Sequence, residues 1–76
     1  MLFGDRVEIE PAICSGKPVI RGTRILVTSI LSQLAAGESF DRIRKGFPGL
    51  ADDDIKAAIE FAKQSLEATE LATLRD

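Results

Sequence analysis

With 76 residues, 45% of them hydrophobic and 29% charged, and a formal net charge of −2, the chain has room for one small core and none for a second. A core this size buries a modest share of the surface and usually needs a staple or a partner. One cysteine excludes an internal disulfide and the absence of histidine removes the usual zinc sets, so a homodimer is the expected remedy. Met1–Phe3 run straight into Gly4-Asp5-Arg6 with no apolar stretch behind them, unlike a secretory leader. No apolar run reaches the length of a membrane span. A cytoplasmic protein acting away from membranes is expected.

Val7 and Ile9 alternate with Glu8 and Glu10, the period-two pattern of a half-buried strand, and Pro11 ends it. The next stretch, Ile13-Cys-Ser-Gly-Lys-Pro-Val-Ile-Arg-Gly-Thr-Arg-Ile25, is the most informative in the chain. Gly16, Pro18 and Gly22 exclude a helix. It reads as extended pieces at Ala12–Ser15 and Pro18–Ile20, with a turn at Ser15-Gly16 and a bend at Arg21-Gly22. Cys14, beside that turn, reads as a small half-buried apolar side chain rather than a nucleophile. Strands this short are unstable alone, so they pair with a second copy or pack on the chain's own helices.

Helix one is predicted from Thr28 or Ser29 to Ala36, with Thr28 as N-cap, an apolar stripe of Ile30, Leu31 and Leu34, and Gly37 as its stop. Ser39 caps helix two, whose Phe40 and Ile43 face inward. Gly46–Leu50 forms a turn anchored by Phe47 and Leu50. Helix three starts near Asp52 or Asp53, with Ile55, Ala58, Ile59 and Ala62 as its apolar face and Ala57, Phe61 and Leu66 widening it. It has no breaker before Leu71 or Leu74. The predicted organisation is mainly α: a β arm over residues 1–27, a trihelical helix-turn-helix body over 28–65 and a helical extension over 66–76.

Charge is unevenly spread. Residues 11–27 carry Lys17, Arg21 and Arg24 and no acid, whereas residues 51–76 are acidic by four units. Such a chain can touch an anion with one end and a basic partner with the other. The candidate DNA contacts are Lys17, Arg21 and Arg24 on the arm, Arg42, Arg44 and Lys45 on helix two, and Lys56 and Lys63 on helix three. Arg24 could equally hold the bend through backbone carbonyls. Asp52, Asp53 and Asp54 open helix three with the wrong sign for phosphate, which weakens a literal recognition-helix reading. Leu66, Glu70, Leu71 and Leu74 are candidate partner contacts. With no histidine, tyrosine or tryptophan, and acids that helix capping explains, no catalytic set emerges. No cofactor, metal or small-molecule substrate is expected.

Ile13–Ile25, followed by Val27, Ile30-Leu31, Leu34-Ala35-Ala36-Gly37, Ile43, Phe47-Pro48-Gly49-Leu50 and Asp53–Ala58, closely resembles one family. It is the small prokaryotic "domain of unknown function 433", regarded as VapB-like antitoxin-type proteins with a homeodomain-like helical fold. The resemblance covers about residues 7–63, and the Gly-Lys-Pro…Arg-Gly-Thr-Arg run makes it specific. It implies the antitoxin half of a type II toxin–antitoxin system, beside a PIN-like ribonuclease toxin. Such a protein binds its own operator DNA as a dimer, regulates transcription, and covers the toxin with its C-terminal part. The alternative is a protein-interaction adaptor of the same fold that binds no nucleic acid. In one departure, Ala51 stands where the family often has Ser or Thr, so Asp52 is expected to cap helix three.

Overall fold

The computed structural model describes residues 1–68. Three short strands, β1 (Leu2–Phe3), β2 (Val7–Glu8) and β3 (Val19–Ile20), precede three helices, α1 (Val27–Ala35), α2 (Phe40–Gly46) and α3 (Asp52–Glu67). The strands form an antiparallel sheet in the order β1-β2-β3. Phe3 lies opposite Val7, and Val7 opposite Ile20. The hairpin β1–β2 was not expected from the sequence. A two-residue strand has too few positions to show alternation, and only Gly4, left-handed at φ 66°, marks the turn that makes it.

The sheet closes on the chain's own helices. Val7, Ile20, Val27, Ile30, Ile43, Leu50, Ile55 and Ala58 form one buried cluster, with Phe40, Phe47 and Phe61 packed around it. Residues from the sheet and from all three helices thus share a single core. Both residues of β3, Val19 and Ile20, are buried, which accounts for an uninterrupted β-branched pair where a one-sided strand would alternate.

Three local expectations are corrected. Ala12–Ser15 is not extended through to its end: Cys14–Gly16 form a tight 3₁₀-type turn with Cys14 at φ 49°, Ser15 at 58° and Gly16 at 80°. Thr28 does not cap α1. The helix begins a residue earlier, after Leu26, which has no side-chain cap; the Val27 N–H instead donates to the Pro18 carbonyl at 3.0 Å. Asp52 does not cap α3 either. Ala51 is the N-cap residue, and Asp54 Oδ2 accepts from its N–H at 2.9 Å. This is one half of a capping box, since alanine has no acceptor for the reciprocal bond.

Other elements are as expected. Ser39 caps α2 by accepting from the Arg42 N–H at 3.2 Å, and left-handed Gly37 follows α1 at φ 86°. Gly46 is the last residue of α2 rather than part of the turn. Ile59, expected in the core, is 41% exposed although its neighbour Ala58 is fully buried, because it sits at the edge of the apolar face of α3. A continuation of this helix to Leu71 or Leu74 lies outside the described residues.

Asp54 is the core's polar member, 8% exposed. Besides capping α3, it accepts from Arg6 Nη1 at 2.9 Å, joining the hairpin turn to the helix start. Removing its carboxylate takes the acceptor from the Ala51 N–H and the nearer of its two partners from Arg6. Asp54→Ala is expected to lower stability by about 1–3 kcal/mol, read as a drop in the urea midpoint with the slope unchanged.

Candidate functional site

The basic segment is held rigidly by backbone and hydroxyl contacts. The Ile20 N–H donates to the Ile25 carbonyl at 2.9 Å and the Arg21 N–H to the Arg6 carbonyl at 2.8 Å. Between them the chain makes a short loop through Gly22, left-handed at φ 78°. Thr23 fastens the loop: its hydroxyl donates to the Ile20 carbonyl at 2.7 Å and accepts from the Ile25 N–H at 2.9 Å. A side-chain hydroxyl thus replaces a missing rung of backbone pairing. Across from it, Cys14 Sγ lies 3.7 Å from the Arg24 carbonyl. That links the Cys14–Gly16 turn to the loop and leaves Cys14 half-buried, as expected. The Gly-x-Thr spacing in the sequence is therefore a loop-building signature, and it presents Arg21 and Arg24 on a fixed backbone.

The expected cations fall into two groups. Lys17, Arg21, Arg24, Lys45 and Lys56 are exposed and none is paired with a carboxylate among the described residues. Arg42, Arg44 and Lys63 are engaged within the chain. Arg42 meets Glu38 at 3.4 Å, and Lys63 lies 3.8 Å from Glu60 and 4.0 Å from Glu67. Arg44 bridges Asp41 of α2 to Asp52 of α3. Its hydrogen bond with Asp52 is the main cause of a guanidinium pKa raised above its ordinary value.

Arg6, which sequence reasoning passed over, completes the electrostatic pattern. It contacts Asp54 at 2.9 Å and Asp53 at 3.6 Å. The hydrogen bond with Asp54 is the main cause of its raised pKa, ahead of the charge of Asp53. All three aspartates at the start of α3 therefore face an arginine, two facing Arg6 and one facing Arg44. The wrong-sign charge that the sequence places at this helix start is met in part, two arginines being shared among four carboxylates, Asp41 included. The signal was the lone cation Arg6 in an otherwise acidic N-terminal strand region, and its partners lie 47 and 48 positions away, beyond any local pattern.

Of the candidate partner contacts, Leu66 is 69% exposed, whereas Glu70, Leu71 and Leu74 lie outside the described residues. Exposed Leu2, Phe3 and Ile59 add apolar surface. Phe3 packs edge-to-face on Phe61, with ring centroids 5.0 Å apart. Among the described residues, no three Cys, Asp or Glu side chains converge as a metal set, and no helix is long and apolar enough to cross a membrane.

The segment that builds this loop and core is the part shared with other proteins. Residues 7–62 match the family described as "Protein of unknown function (DUF433)". The chain belongs to the DUF433 family. It is 37% identical over 57 residues to the uncharacterized protein y4eO of Sinorhizobium fredii (strain NBRC 101917 / NGR234), a match covering 75% of this chain and 26% of that protein. The fold is similar to the crystal structure of a DUF433 member protein from Anabaena variabilis ATCC 29413, with a TM-score of 0.76 and 30% identity over 84% of this chain and 63% of that one. The chain thus spans about a quarter of the curated relative it matches and under two thirds of the solved one. The match begins at β2 and ends within α3, so the DUF433 unit holds the basic loop and the shared core and leaves out the β1 strand.

Gly22 and Gly46 separate backbone strain from crowding, since a Cβ at either meets open space. Gly22→Ala is expected to cost about 1–2 kcal/mol through its left-handed φ. Gly46→Ala, at the end of α2, is expected to gain about 0.5–1 kcal/mol. Paired urea titrations should show opposite shifts.

Proposed function

We propose that this DUF433 chain is the antitoxin-type component of a type II toxin–antitoxin pair. In this reading it is a non-catalytic, cytoplasmic homodimer that binds its own operator DNA, regulates its transcription and neutralises a PIN-like ribonuclease. One observation carries the DNA half. The aspartates that open α3 are partly neutralised by Arg6 and Arg44, while Arg21 and Arg24 stay exposed on a braced loop and Lys17 on the turn before it. Phosphate attracts unspent cations, and cations already tied to carboxylates contribute little. Lys17, Arg21 and Arg24 grip the backbone, the three helices serve as a homeodomain-like helix-turn-helix, and Lys45 and Lys56 add contacts from α2 and α3. Leu66 and the residues after it meet the toxin.

A second reading, a protein-interaction adaptor that binds no nucleic acid, is favoured by the apolar surface of Leu2, Phe3, Ile59 and Leu66. A mobility shift with the DNA upstream of the chain's own reading frame separates the two. In the first reading, Arg21→Ala with Arg24→Ala weakens the complex and lowers the slope of log affinity against log salt by about 0.9 per lost phosphate contact. Unchanged affinity and slope remove the loop from DNA contact, and no shift with the parent protein leaves the adaptor reading. Co-purification with the product of a neighbouring ribonuclease-like frame tests the toxin half.

A further inference from the structure

Two adjoining clefts, of about 220 and 310 Å³, run between the β1–β2 hairpin and α3 and share Phe3, Phe61 and Gln64. We infer that they form one groove that docks a basic, apolar-faced helix of a partner protein. This goes beyond the reading above, because it requires neither DNA nor a ribonuclease and uses none of the loop cations.

The floor is the edge-to-face pair Phe3–Phe61. Its hairpin side is left open, with Phe3 37% exposed. Along α3 the lining extends from Ala57 to Ala68, roughly 16 Å at the helical rise of about 1.5 Å per residue. That is the length of about three helical turns, and aromatic side chains are the usual anchors for an apolar helix stripe.

Charge sets the chemistry of the occupant. The charged groups on the groove are Asp5, Arg6 and Glu60, and Arg6 is already committed to Asp53 and Asp54. Glu60 is met by Lys63 at 3.8 Å, an exposed side chain shared with Glu67. The rim is therefore left negative around an apolar floor, which favours lysines or arginines flanking an apolar stripe. A second copy of this chain does not supply that. Its Lys17, Arg21 and Arg24, unpaired among the described residues, sit on turns, and its basic helix α2 turns Ile43 into the core. In the Sinorhizobium relative, the matched stretch is about a quarter of the protein, so there this unit sits in a chain with a large further part.

The test uses the full chain with two fluorescein-labelled amphipathic helical peptides, one of leucine and lysine and one with glutamate in place of every lysine. The lysine peptide is expected to bind and to shift the backbone amide resonances of Phe3, Phe61, Gln64 and Ala68. The glutamate peptide is expected to bind at least tenfold more weakly. Glu60→Lys and Asp5→Lys are each expected to weaken the lysine peptide several-fold, while Glu38→Lys, away from the groove, leaves it unchanged. Equal affinity for the two peptides, shifts confined to other elements, or equal weakening by Glu38→Lys overturns the inference. So does sedimentation showing a dimer in which the Phe3 and Phe61 signals are already protected by a second copy. Operator binding by the same variants is a separate readout, so loss of the groove and loss of the DNA reading are distinguishable.

Discussion

The contact on which this structure most depends is the one between Arg6 and Asp54. Asp54 is nearly buried, and a buried carboxylate is tolerated only when its charge and lone pairs are met. Here one oxygen takes the guanidinium of Arg6 and the other takes the N–H of Ala51. A single side chain thus caps the longest helix and pins the hairpin turn against it. Because α3 contacts α1, α2 and β2, fixing its start fixes the frame in which the remaining elements pack.

The same contact shapes the surface field. A helix opening on three consecutive aspartates suits the helix dipole but presents anionic partners with repulsion. Arg6 and Arg44 reach that cluster from the hairpin and from α2, so the carboxylates stabilise the helix start while part of their charge is neutralised. Among the described residues, the loop cations have no such partners. The molecule therefore separates charges used to hold the fold from charges left exposed, although its overall net charge is slightly negative. On the C-terminal half of α3, Glu60 and Glu67 share Lys63 near exposed Leu66.

Much of this was legible in the residues. The three helices follow from the spacing of Ile30, Ile43, Ile55 and Ala58, and from punctuation by Gly37, Ser39 and the Phe47–Leu50 turn. The Gly-Lys-Pro…Arg-Gly-Thr-Arg run identified both the loop and the family. What escaped reading depends on contacts distant in sequence. The cap of α3 comes from Asp54 rather than Asp52, because Asp54 is also the residue that Arg6 reaches. Ile59 fits the apolar spacing but sits at the edge of the face that Ile55 and Ala58 bury, while Phe61 further along still packs on the core. β1 is too short for any pattern. Among the cations, the sequence could not sort Arg44, tied to Asp41 and Asp52, from Arg21, tied to neither, since that distinction exists only after folding.

The start of α1 has a consequence for how the molecule assembles. Leu26 offers no polar side chain to the free amides of the first turn, and one of those amides is received by Pro18, nine positions back and on the far side of β3. Cut out as a peptide, this helix would lack its natural beginning. Its first turn is completed only once the strand region has come to rest beside it, so the smallest piece able to become ordered includes both, and the chain's early and middle thirds should melt together in one cooperative step.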